Sequence, residues 1–251
     1  MNFMPQKLSA FISGTVIPIE AVPDPVFAGR LLGDGIAIDP TDEVLVAPCN
    51  AKVLQLHAAR HACVLQTENG ARLLLHIGID TVMLKGEGFT AHVAQGDVVR
   101  AGQALIEFDK TVLKHHSKPA ISILVVENGD EFRIFERSKS GTIVTGGELL
   151  TLVANEAKSH SPTPPDSGDN EETAHGWAVI HHGGGMHARP CALLATAIKG
   201  FAANVEIRAH GKYANARSAT AVMGLAIAEG DEVKIHATGT KAGDALEAAI
   251  I

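Results

Sequence analysis

Between Ser9 and Val153, short apolar segments recur, each closed by glycine, proline or acidic turn residues: GTVIPI, GDGIAIDP, DEVLVAP, AKVLQL, ACVLQTENGARLLLHIGI, GDVVRAGQALIEFD and AISILVVENGD. Apolar and polar positions alternate, valine and isoleucine are frequent, and breaks come at short intervals. That pattern predicts strands rather than helices. The stretch is therefore expected to form an all-β sandwich or barrel.

Within it, TENGARL carries the clearest turn signal, because Asn69-Gly70 suits the two central positions of a type I′ hairpin. With those as the turn residues, Glu68 faces Ala71, Cys63 faces His76 and His61 faces Gly78. Residues two apart share a face of a strand, so this register makes His61 and His76 diagonal neighbours, with Gly78 leaving space beside both rings. Half-buried polar rings are the plain alternative. A metal site is another, since His57, His61 and His76 are neighbouring imidazoles, but their spacing matches no standard zinc signature. His92, His115 and His116 are expected at the surface.

The pattern changes near the end of the chain. In GMHARPCALLATAIKGF, Leu193, Leu194, Ala197, Ile198 and Phe201 recur at three-and-four spacing and predict an amphipathic helix ending near Lys199 and Gly200. Pro190 suits its first position, since its missing N–H is one the helix cannot use. That puts His187 at the helix mouth. Unpaired amides and the positive end of the helix dipole favour an anion there, and Arg189 adds a forked cation matched to phosphate oxygens. A histidine so placed suits a phosphoryl group. A solvated polar residue after a glycine-rich loop is the plain reading of the same letters.

Between these regions, Asn155 to Ala174 reads NEAKSHSPTPPDSGDNEETA, with no aliphatic or aromatic side chain larger than alanine. Proline, serine and acidic residues mark it as a disordered tether. It sets Glu156, Asp166, Asp169, Glu171 and Glu172 against Lys158, more than half of the net charge of −7. The flanking regions are then nearly neutral. A chain of 251 residues with this charge and only 4% aromatic content lacks the basic face that nucleic acid demands, so no nucleic-acid partner is expected. No apolar run reaches membrane-spanning length and the opening letters form no signal-peptide core. Cys49, Cys63 and Cys191 form no CxxC pair, which points to buried thiols and the reducing cytoplasm.

LLLHIGIDTVMLKGEGF, with GRLLGDGIAIDP and RHACVLQTENGA upstream, resembles the glucose and N-acetylglucosamine type enzyme IIA domain of the bacterial phosphoenolpyruvate:sugar phosphotransferase system. GMHARPCALLATAIKGF, followed by GKYANARSATAVMGLAIAEGDEVKIHATG, resembles the phosphocarrier HPr of the same system. The resemblance implies a IIA domain over 1–154, a linker over 155–174 and an HPr-like domain over 175–251 with an α+β open-faced sandwich fold. It implies that enzyme I phosphorylates His187, with Arg189 and the amide of Ala188 holding the phosphoryl oxygens. His76 then accepts the group and His61 binds its phosphate, beside Gly78. Asp80 and Val82 would belong to a docking surface, and Ser218 aligns with a serine that a regulatory kinase modifies in some phosphocarriers. An N-cap role is the stronger reading of Ser218.

No metal or other cofactor is required by this scheme, phosphoenolpyruvate being the ultimate phosphoryl donor. The implied partners are enzyme I, a sugar-specific IIB/IIC permease and regulatory proteins that bind IIA. The letters HIGIDTV and GFTAHV lean towards N-acetylglucosamine over glucose. Two departures stand out. Several IIA domains have a threonine two residues before the first active-site histidine, where this chain has Ala59. The final GDALEAAII is shorter than the last helix of most phosphocarriers, so the chain is expected to be the front of a longer fusion with enzyme I. A phosphorylation-dependent regulatory binding protein is the competing reading, and a zinc hydrolase of related β architecture is a remote third.

Overall fold

The computed structural model describes residues 5–139, 141–155 and 172–250. The chain divides into two compact units, Met1–Glu156 and Ala157–Ile251.

The first unit is built from antiparallel sheets. The largest has eight strands in the spatial order Gly141–Ile143, Gly14–Pro18, Asp34–Pro40, Ser122–Val126, Arg72–Ile77, Ala62–Thr67, Ala51–Leu56 and Val98–Val99. Two three-stranded sheets complete it, one centred on Glu148–Ala154 and one on Ala104–Phe108. The all-β expectation holds. Strict alternation does not hold at the centre of the large sheet, where every residue of Ser122–Val126 is buried. A strand covered on both faces has no solvent side on which to place polar residues. Leu73, Leu75 and Ile77 enter the main core with Phe11, Leu65 and Phe108, and Leu74 and His76 therefore point from the opposite face of the same strand.

The hairpin between Ala62–Thr67 and Arg72–Ile77 departs from the expected register by one residue. Cys63 pairs with Leu75 and Ala62 with His76, while the amide of Ile77, not of Gly78, lies opposite His61 and donates to its carbonyl. The loop has three residues rather than two, because Thr67 exchanges backbone bonds with Ala71 and Gly70. The Thr67 hydroxyl donates to Asn69 Oδ1 at 2.6 Å, and Gly70 takes the left-handed turn at φ 97°. A type I′ pair would require positive φ at Asn69 as well, and Asn69 is not among the residues with positive φ.

The second unit has a four-stranded antiparallel sheet in the order Glu172–Val179, Glu232–Gly239, Ala203–Ala209 and Lys212–Asn215. Helices Ala188–Ile198, Ala219–Met223 and Ala242–Ala249 accompany it. Val205, Ile207, Val233, Ile235 and Ala237 are buried, whereas Trp177 and Tyr213 are exposed. One face is thus covered by helices and the other open, an α+β open-faced sandwich.

Of the linker expected over 155–174, residues 156–171 lie outside the described residues. At its front, Asn155 donates its side-chain amide to the carbonyls of Gly129 and Asp130. At its back, Glu172, Thr173 and Ala174 are strand residues paired with Gly239, Thr238 and Ala237, so the expected linker runs three residues too far. Their polarity is that of an edge strand with an open face, which composition does not separate from a tether.

Candidate functional site

The backbone before Ala62 explains how His61 and His76 meet despite the shifted register. Were His61 a regular strand residue, alternation would place it and His76 on opposite faces. Instead, Arg60 adopts φ 55°, its amide donates to the His57 carbonyl at 2.8 Å, and the His57 amide donates to the Ala62 carbonyl at 2.9 Å. This tight bend carries His61 out of the strand. The two rings stand edge-to-face with centroids 4.9 Å apart at 80°. Both residues are nearly inaccessible, at 1% and 5% exposure.

Two rings flank the pair closely, with Phe89 further off at 6.5 Å from His61. Phe27, on the short helix Pro25–Ala28, lies edge-on to His76 at 5.2 Å, and His57 lies edge-on to His61 at 4.4 Å. Aspartate 24 starts the Phe27 helix, its Oδ1 accepting the amide of Val26 at 2.8 Å. Sequence reasoning missed Phe27, since a phenylalanine among PDPVFAG carries no mark of its long-range contact. The three imidazoles form a row of edge contacts, and among the described residues no three His, Cys, Asp or Glu side chains are placed together to hold a metal ion.

Beyond His76 the strand ends at Ile77, and the chain turns at Gly78. Its φ is 73°, and a Cβ there would lie 2.4 Å from Thr81 Cγ2 and 2.9 Å from the Pro119 carbonyl. Gly78 therefore serves a close backbone approach to Thr81 and Pro119, not an open space opposite His61 as the expected register implies. The Thr81 hydroxyl donates to the Ile77 carbonyl, fastening the turn from below. Asp80, at φ 54°, opens the one-turn helix Thr81–Leu84. Val82 is buried at 7% exposure, and Met83 instead reaches solvent at 49%. A 3-10 turn this short has room to bury only some of its side chains, and Thr81, Val82 and Leu84 are those. His92, His115 and His116 are exposed, with His92 against Glu107 and His116 against Glu87.

In the second unit the glycine run serves backbone geometry. Gly184 and Gly185 have φ of 84° and 71°, and a Cβ on Gly185 would lie 2.1 Å from the Ile227 carbonyl. The adjacent amide of Met186 donates to that carbonyl at 2.9 Å. This pins the loop so that the chain enters the helix at a fixed angle. His187 is the N-cap, with extended backbone and no side-chain capping bond, and it is half-buried.

The helix begins at Ala188, so Pro190 occupies its third position rather than its first. Proline remains compatible, because the whole first turn lacks intrahelical acceptors for its N–H groups. Ala188 and Arg189 therefore supply the amides of the first two positions, with the Arg189 side chain exposed and Ala188 buried. Cys191 is fully buried with its Sγ at 3.2 Å from the Met186 carbonyl, and burial pushes its thiol well above the ordinary range. Leu193, expected on the apolar stripe, is 53% exposed. The buried side is made by smaller residues, Ala188, Cys191 and Ala192, together with Ile198. Ser218 is the N-cap of Ala219–Met223, its Oγ accepting the amide of Ala221 at 3.3 Å.

Comparison with known proteins agrees with both units. Residues 6–132 match the family model of the phosphoenolpyruvate-dependent sugar phosphotransferase system, EIIA 1, and residues 177–250 match that of the PTS HPr component phosphorylation site. The chain is 44% identical over 148 residues to the PTS system glucose-specific EIIA component of Halalkalibacterium halodurans, covering 59% of this chain and 86% of the relative. It is 40% identical over 141 residues to the PTS system N-acetylglucosamine-specific EIICBA component of Klebsiella pneumoniae, covering 56% of this chain and 22% of that one. Among solved structures it is similar to the glucose permease IIA from Mycoplasma capricolum, with a TM-score of 0.55 and 35% identity over 59% of this chain and 96% of the other. No helix among the described residues is long and apolar enough to cross a membrane. The chain belongs to the EIIA 1 family of the phosphoenolpyruvate-dependent sugar phosphotransferase system and carries an HPr domain after its EIIA domain, which makes it a phosphohistidine-carrying phosphotransferase component.

Proposed function

We propose that this chain is a cytoplasmic phosphoryl relay, loaded by enzyme I at His187 from phosphoenolpyruvate and discharging through His76 to a cysteine of a sugar-specific IIB domain. The observation that carries this reading is the buried His61–His76 ring pair. In the transfer, a lone pair on the His76 ring attacks phosphorus while the bond from phosphorus to the His187 ring breaks in line, and that electron pair returns to the His187 imidazole. Donor and acceptor are both imidazoles, so little free energy is lost, and catalysis reduces to positioning and charge stabilisation. Arg189 and the amide of Ala188 hold the phosphoryl oxygens on His187, and His61 holds them on His76. The scheme needs no cofactor.

The sugar is N-acetylglucosamine or glucose, the two specificities named for the relatives in Klebsiella pneumoniae and Halalkalibacterium halodurans. Labelling by enzyme I and radioactive phosphoenolpyruvate tests the order. Wild type should take two acid-labile groups, His76→Ala one and His187→Ala none, whereas unimpeded labelling of His187→Ala would reject the route.

A regulatory reading draws support from Met83, which stands exposed on the turn after His76. A phosphoryl dianion added at His76 would oppose docking of an apolar partner on that turn. Partners captured with unphosphorylated but not phosphorylated chain, in the absence of any sugar permease, would favour it.

A further inference from the structure

His57 has no part in the relay as described, yet it touches the ring that does. Its centroid lies 4.4 Å from that of His61 at 65°, and His61 in turn stands 4.9 Å from His76. The bend that carries His61 out of its strand also fixes His57, whose amide and carbonyl bond to Ala62 and Arg60 on either side of His61.

The ring of His57 is fixed as well. Its Nδ1 accepts the amide of Ala59 at 3.2 Å. A ring nitrogen that accepts a hydrogen bond carries no proton, so the neutral His57 ring bears its proton on Nε2. The nitrogen that carries the proton in one imidazole is set by the hydrogen bond made at the other, so a hydrogen bond from one ring to the next sets both. Ala59, the residue between them in this bend, is buried and has no polar side chain with which to orient His61.

We propose that His57 is a positioning residue for phosphoryl transfer at His76, its Nε2–H fixing the orientation and tautomer of His61 so that His61 presents a proton to the phosphoryl oxygens. This rests on His76 being the acceptor, as proposed above. His57 is not expected to touch the phosphoryl group, since it reaches the site only through His61.

The test uses the whole chain with 15N-labelled histidine rings, enzyme I and phosphoenolpyruvate. His57→Phe keeps an aromatic ring but removes both nitrogens, while His57→Gln keeps a side-chain N–H donor. His57→Phe should slow labelling of His76 by about ten- to a hundredfold, leave labelling of His187 at the wild-type rate, and move the His61 ring nitrogens from one tautomer to a mixture. His57→Gln should recover much of the rate and the single tautomer. Wild-type His76 labelling and an unchanged His61 tautomer in His57→Phe overturn the proposal while leaving the relay intact. Equal slowing in both variants with the His61 tautomer unchanged also overturns it, because it marks packing alone. Wild-type chain labelled only at His187 instead overturns the relay itself, and the role of His57 falls with it.

Discussion

The amide of Ile77 donates to the carbonyl of His61 at 2.8 Å, so the residue next to His76 is tied to the backbone of the ring that faces it. One residue later the chain must turn at Gly78, with φ 73° and the Thr81 side chain 2.4 Å from where a Cβ would stand. Gly78→Ala combines a left-handed backbone with that clash. It should destabilise the first unit by about 1–3 kcal/mol and slow labelling of His76, whose strand end is displaced. Urea denaturation followed by a probe in the first unit measures the first effect, and a midpoint equal to wild type would remove the strain argument.

Phe27 packs edge-on against His76 at 5.2 Å and is 4% exposed. Phe27→Leu keeps an apolar side chain but loses the ring edge, which should cost about 1 kcal/mol. Phe27→Ala also leaves a cavity and should cost about 3–5 kcal/mol. The two variants separate the functional question from stability. If Phe27 helps hold the His76 ring, His76 labelling should fall in Phe27→Leu even where that variant is fully folded, and equal labelling rates would assign Phe27 to packing alone.

The strands of the first unit are legible because their apolar positions recur at short, turn-bounded intervals, and the helix after His187 because its apolar residues keep helical spacing. The hairpin register is not legible. It is decided by the Thr67 hydroxyl bonding Asn69 and by Asn128, whose Oδ1 accepts the amide of Arg72 at 2.8 Å and whose Nδ2 donates to the Gly70 carbonyl at 3.2 Å. No local pattern announces a partner 56 residues away. The register that the sequence predicts for the His61–His76 contact does not occur, and the contact is produced instead by the left-handed bend at Arg60, a residue whose type gives no warning of positive φ. Val82 and Met83 show the same limit. Adjacent apolar letters in a one-turn helix do not declare which is buried.

Asn128 accordingly offers a direct test of what sets that register. It is 1% exposed and bonds both sides of the hairpin loop. Asn128→Ala leaves the Arg72 amide and Gly70 carbonyl without these partners, and should cost about 1–3 kcal/mol. Hydrogen exchange at the Arg72 amide should quicken more than at amides of the strand Ser122–Val126. Uniform quickening across both would point to global destabilisation and count against a local role in the loop.

Cys63 supplies a prediction for alkaline pH. It is 1% exposed, faces Leu75 across the hairpin and lies in the main core. Burial pushes its thiol from an ordinary value of 9.0 up to about 12, because a thiolate there would lose its hydration. Below pH 9 both folded and unfolded chains keep the proton, and Cys63 adds no pH dependence. Between about 9 and 12 the unfolded chain ionises while the folded chain does not, so the unfolded state binds fewer protons and stability falls as pH rises. The slope from this one group approaches about 1.4 kcal/mol per pH unit. Cys49, pushed up to about 12 chiefly by burial, adds a similar slope of its own, so the comparison must be with Cys63→Ala rather than with neutral pH alone. That variant starts less stable from lost core volume, but its stability should decline less steeply between pH 9 and 11 by about one proton's worth. Denaturation curves of both proteins across that range decide it, and parallel declines would mean that Cys63 ionises as readily folded as unfolded.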